Sequence, residues 1–354
     1  PIGVWIMSYT NGLDKPSDYF NTVLYTGNGA STHAITGVGF QPDLNWHKIR
    51  NDTDWHMVND SVRGANYAIY PNANNAEGNV PTGLKSFDSD GFTVGNLNDS
   101  NQNNGNFVSW NWKAGTSFTN DASSTGIGSI DSAGSVNNDS GFSIVSYTGT
   151  GSNGTVKHGL NSVPKMFIVK ELSNANSWEV YHVSQGAGKN AQLNTTAAFE
   201  SAGSSRWNST APTSSVFSIG TDSGVNRSSS NYIAYCFADV KGYSKFSSFV
   251  GNGSSDGVFC YTGMKPAWVM IKRTDSAKNW LVLDNKINTH NPYNTELSPN
   301  LSDAEATNIR FDSLSNGFKL RLGSGASNAS GASYIFMAFA ENPFVTSTGV
   351  PATA

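Results

Sequence analysis

The sequence predicts an all-β protein built as three tandem antiparallel β-sandwich or jelly-roll-like modules. Three observations carry that prediction. First, a Gly-x-Gly stretch, a proline and a lysine recur at fixed intervals: Gly27, Pro42 and Lys48; Gly149, Pro164 and Lys170; Gly251, Pro266 and Lys272. Glycine leads proline by 15 residues (27 to 42, 149 to 164, 251 to 266) and proline leads lysine by 6 (42 to 48, 164 to 170, 266 to 272). One unit is therefore written three times. Second, residues 107–112, 232–237 and 334–339 alternate with period two, placing Val108/Trp110/Trp112, Ile233/Tyr235/Phe237 and Ile335/Met337/Phe339 on one face. Third, Gly, Asn and Asp turn signals separate short apolar runs, and helical periodicity is almost absent.

Taken in order, residues 1–19 read as a leader, either an extra strand on the first module or an attachment arm. The first module spans 20–115. Its opening strand runs into the turn at Gly27, and Pro42 precedes a strand through Lys48 with a hairpin partner near residues 55–58. Asp90-Gly91 closes a tight turn between two more strands. Residues 116–140, rich in Gly, Ser, Asn and Asp, read as a linker. The second module covers 141–242 and the third 243–344, joined without linker composition, and 345–354 form a polar tail. Helix candidates are confined to residues 194–201 and 302–307. The bulky face of the alternating strands reads as core; the opposite face is either exposed or covered differently in each copy.

Composition narrows the function. Only 14% of residues are charged, yet 19 Phe, 13 Tyr and 9 Trp supply material for several cores. A net charge of −4 gives no footprint for nucleic acid. No apolar run reaches the roughly 20 residues of a membrane span, so no membrane insertion is expected. The opening residues lack a charged n-region and a long apolar stretch, so no signal peptide is expected. Cys236 and Cys260 read as buried thiols.

The residues point to no catalytic, cofactor or metal site. The six histidines do not recur as a set; His47 and His56 could meet across a hairpin as a weak metal pair, lacking a third ligand. The Gly-x-Gly turns are followed by no helix and read as hairpin turns, not phosphate loops. The recurring lysines read as strand-end residues that blunt an edge or reach a neighbour. Trp55, Trp178 and Trp280 follow them; tryptophans in strand context are more often core, and their alternative role is stacking on glycans.

The runs Tyr25-Thr26-Gly27-Asn28-Gly29, Gly39-Phe40-Gln41-Pro42-Asp43, Phe87-Asp88-Ser89-Asp90-Gly91-Phe92 and Trp110-Asn111-Trp112-Lys113-Ala114-Gly115 resemble a tandem module of marine tailed-bacteriophage virion proteins. So do Gly141-Phe142-Ser143-Ile144-Val145 and Ala340-Glu341-Asn342-Pro343-Phe344. The resemblance spans residues 20–344. It implies a virion structural, tail fibre-like protein, assembled in the host cytoplasm, with other virion proteins as partners and a homotrimeric state. It implies an appendage whose loops attach to host cell-surface glycan. The alternatives are a capsid decoration, cement or head-fibre protein binding only virion proteins, and a polysaccharide depolymerase.

Overall fold

The structure, a computed structural model, describes residues 13–346 and 349–351. Three antiparallel sheets share one order of four strands. In the first, Phe20–Thr26, Asn106–Trp112, Leu44–Ile49 and Met57–Asp60 lie side by side. The order recurs as Phe142–Thr148, Asn231–Phe237, Met166–Glu171 and Trp178–His182. It recurs again as Ser244–Val250, Ser333–Pro343, Met264–Arg273 and Leu281–Asp284. Each alternating segment is thus an inner strand, bonded on both edges and buried on both faces.

A small antiparallel sheet covers the outer face of each repeat. These are His33–Thr36, Gly91–Val94 and Leu84–Asp88; Gly154–Lys157 with Val216–Ile219; and Phe259–Tyr261, Gly317–Leu320 and Phe311–Leu314. The covering differs by repeat. Cys236 and Ala234 pack with Phe217 and Ile219 in the second, and Phe336 and Ala338 with Phe318 and Leu320 in the third. In the first, Ser109 and Asn111 join a buried polar cluster with Asn45, which donates to both at 2.8 Å. Both cysteines are buried and unbridged.

The inner faces do not form three cores. They form one, since a single cluster gathers Trp112, Phe237 and Phe339 with the bulky residues of all three sheets. Those three rings meet pairwise, with centroids 6.4 Å apart for Trp112–Phe237, 5.6 Å for Trp112–Phe339 and 6.0 Å for Phe237–Phe339. The chain is a ring of three sandwiches around an aromatic axis, an internal threefold. An enclosed cavity beside the axis, walled by Trp46, Trp178, Trp268 and Met337, has apolar walls and is a packing void.

Segments after each hairpin strand close the ring. Residues 70–77 reach the second repeat through Asn176 N–H to Asn74 O and Glu77 N–H to Leu172 O. Residues 194–201 reach the third through Phe199 N–H to Thr274 O and Lys278 N–H to Thr196 O. Residues 296–306 return to the first through Glu305 N–H to Arg50 O and an Arg50–Glu305 ion pair at 2.7 Å. The two predicted helices fall on these straps and are extended, because their backbone groups bond across the seams. The helical turns are Asn98–Asn101, Ala122–Thr125 and Ser223–Asn226.

Residues 116–140 are not a linker. Thr116–Asn120 and Ser132–Asn137 pair with each other, and the latter pairs with Phe142–Thr148; with Lys189–Gln192 and Glu200–Ser201 on the opposite edge, the second sheet has eight strands. Small residues are required there, since a Cβ on Gly134 would stand 1.9 Å from Ile144 O. Of the expected leader, residues 1–12 lie outside the described residues, and Pro16–Asp18 form a 3-10 turn. Of the tail, residues 347–348 and 352–354 lie outside them. No helix among the described residues is long and apolar enough to cross a membrane.

Candidate functional site

The repeated residues build the ring. Gly27, Gly149 and Gly251 each face a backbone carbonyl that a Cβ would meet at 2.1–2.3 Å. The second glycines, Gly29, Gly151 and Gly253, sit at φ of +66°, +75° and +70°. Each turn is clamped by a buried asparagine, Asn101, Asn226 or Asn328. Its Oδ1 accepts the N–H between the glycines, from Asn28, Thr150 and Asn252 at 2.9, 2.7 and 3.0 Å. Its amide donates to loop carbonyls such as Gly95 O, Gly220 O and Ser254 O. Pro42, Pro164 and Pro266 are buried; the first two stand two residues before their strands, and Pro266 is the third residue of Met264–Arg273, at a shift in its register.

The recurring lysines do not blunt an edge. Lys48, Lys170 and Lys272 are fully buried, and each ammonium donates to backbone carbonyls: Ile49 O and Asp52 O, Glu171 O, and Thr196 O and Lys278 O. Burial pulls all three down to about 8. Only Lys272 reaches a neighbouring repeat. Carbonyls gathered at the end of a bonded strand explain why a lysine sits inside.

Two of the three tryptophan candidates are core. Trp178 and Trp280 are 1% exposed and donate their indole N–H across a seam, to Tyr70 O and Gln192 O, both at 3.0 Å. The residue that matches them in the first repeat is His56, eight positions after Lys48 as Trp178 and Trp280 are after Lys170 and Lys272. His56 Nε2 donates to Ser298 O at 3.1 Å while Nδ1 accepts from Trp46. His47 bonds Asn45 and Ser100 instead, so the two histidines do not form a metal pair. Burial holds His47 near 3 and His158 and His182 near 4, all neutral hydrogen-bonding groups. Among the described residues no group of three His, Cys, Asp or Glu could hold a metal.

Trp55 is different. It lies one position outside the repeat, is 37% exposed, and sets its ring edge-to-face on Tyr70 at 4.9 Å. Its backbone N–H is shared by Asp54 and Asp99. Burial, and after it the neighbouring Asp54 carboxyl, pushes Asp99 up to about 7. The second repeat has Asn176, Ser177 and Gly224 in place of Asp54, Trp55 and Asp99, and the third has Lys278, Asn279 and Ala326. At this rim the second repeat also supplies Arg227 to Glu171 at 2.9 Å, where the first has Gln102. The exposed indole and the carboxyl pair without an arginine occur in one copy of three.

Beside this rim lies a cleft walled by Asn279, Glu296, Ser298, Asp303 and Asn308. Glu296 is 5% exposed, its Oε2 has no hydrogen-bond partner, and burial pushes it up to about 7 from 4.5. The native state therefore keeps a proton that the unfolded chain releases between those values, and stability falls as pH rises through that window. Glu296→Gln is expected to raise the unfolding free energy by about 3 kcal/mol at pH 8 and to change it little near pH 4. Denaturant titrations at the two values check this; an equal effect at both contradicts it.

A family model matches residues 15–343, nearly all the described chain, and its description is a domain of unknown function, DUF7483. No curated protein matches the chain.

Proposed function

We propose that this chain, which belongs to the DUF7483 family, is a non-enzymatic virion surface protein whose Trp55 rim attaches to saccharides of a host surface. The observation that carries the reading is the break in repetition at Asp54, Trp55 and Asp99. The ring stands without those residues in two of three copies, so the fold does not require them. An exposed, backbone-anchored indole offers a face to the C–H side of a sugar ring, and adjacent carboxyls accept its hydroxyls. Hydrolysis is disfavoured, because one oxygen of each carboxyl is taken up by the Trp55 backbone N–H, at 3.1 and 3.2 Å, whereas glycosidase carboxyls flank an open site that admits the scissile bond. The internal threefold supports a second reading, seating on a threefold position of a capsid as a decoration protein. It also supplies within one chain the symmetry that the resemblance assigns to a homotrimer.

Purified protein is expected to be retained on host cells or their extracted polysaccharide, with Trp55→Ala lowering apparent affinity about tenfold or more. Wild-type protein that binds no host surface sinks the attachment reading and leaves decoration as the better account.

A further inference from the structure

The third repeat breaks the pattern at a second place. Its outer sheet begins with Phe259–Tyr261, in which Cys260 points into the core while Phe259 and Tyr261 face solvent, 43% and 62% exposed. Register fixes the matching residues. Tyr261 pairs with Gly317 as Thr36 pairs with Gly91, one residue after the buried Cys260–Phe318 and Ile35–Phe92 pairs. In the second repeat Val156 pairs with Phe217, so Thr155 and Lys157 occupy these positions. The first repeat has Ala34 and Thr36. Two repeats fold with small or polar groups there, so two exposed rings on the third serve no shared structural need.

Tyr261 forms the wall of a groove of about 420 Å³ at the junction of the second and third repeats. Its other walls are Asp239, Lys241, Ser244, Lys245 and Thr262, with glycines between. Asp239 is held by Lys245 at 2.7 Å and by the Phe246 N–H at 2.9 Å, so its position is fixed. The Tyr261 ring lies over Gly263, where a Cβ would stand 3.3 Å from its hydroxyl. Phe259 lies on the same face of the strand, about 7 Å further along.

We propose that this aromatic strand and its polar groove form a saccharide-binding subsite separate from the Trp55 rim. A protein partner would meet a patch with an apolar centre depleted of charge. Here one ring is bordered by side chains of both signs and hydroxyls, which matches the alternating C–H faces and hydroxyls of a sugar chain. Two rings spaced along a strand suit successive residues of an oligosaccharide. The subsite stands on its own geometry and survives if the rim binds nothing.

The test uses the full chain with free glucose, galactose and N-acetylglucosamine and their β-linked tetrasaccharides, read by saturation-transfer NMR. Transfer to the ring protons of at least one tetrasaccharide is expected. The double variant Phe259→Ala with Tyr261→Thr, which installs the residues of the first repeat and so keeps the fold, should weaken it about tenfold or more. Trp55→Ala alone should leave unchanged the part of the transfer that the double variant removes. No transfer to any probe, or transfer unaltered by the double variant, overturns the proposal. So does a concentration-dependent doubling of mass that the double variant abolishes, since the rings would then join two copies of the chain.

Discussion

Trp112→Ala is expected to destabilise the whole chain by about 3–5 kcal/mol, with all three repeats losing structure at one shifted denaturant midpoint. Trp112 is 1% exposed and touches Phe237 of the second repeat and Phe339 of the third. It also packs on Phe20 at 4.9 Å and Trp268 at 5.9 Å. Its removal opens a void that no single sheet can close, because the surrounding rings come from all three sheets, Phe20 from the first, Phe237 from the second and Trp268 and Phe339 from the third. Tryptophan fluorescence and far-ultraviolet dichroism, followed together through the transition, check the prediction. Separate transitions for the two signals would mean the repeats unfold as independent domains.

Arg63→Ala is expected to cost a similar 3–5 kcal/mol or so, through charge rather than volume. Asp60 is fully buried and its Oδ2 accepts from Arg63 Nε at 2.6 Å and from Tyr235 Oη, of the second repeat, at 2.7 Å. The same guanidinium donates to Val58 O, Tyr67 O and Glu77. Removing it leaves a carboxylate in the seam with no counter-charge. Adding Asp60→Asn to the variant should restore part of the loss, and a double variant no better than Arg63→Ala would show that packing, not charge, carried it.

The fold class was legible because a two-residue period survives in each closing strand and the Gly-to-Pro-to-Lys intervals never vary. The meeting of the bulky faces at one axis was not legible, since Trp112, Phe237 and Phe339 are over a hundred residues apart and nothing local says that one core serves three sheets. The lysines misled because lysine is rarely buried, and the carbonyls that hold them become neighbours only after folding. The clamp asparagines carried a signal, each six residues before the first aromatic of a closing strand (101 to 107, 226 to 232, 328 to 334). Asparagine is so common in these loops that the spacing was masked. Of the candidate site, Trp55 is visible in the sequence, but it follows Lys48 by seven positions where Trp178 and Trp280 follow their lysines by eight, and that one-residue difference leaves its ring exposed while theirs are buried. Asp54 and Asp99 stand 45 positions apart, and only the turn at Asn98–Asn101 brings them together.

The account rests on the three sandwiches behaving as one cooperative body, with recognition confined to what is not repeated. Native-state hydrogen exchange on Trp112→Ala tests that claim most directly. Amides of the distant closing strands Asn231–Phe237 and Ser333–Pro343 should exchange faster by the same factor as those of Asn106–Trp112, because all three line the shared core. Acceleration confined to the first repeat, with the other two strands as protected as in the wild type, would contradict it.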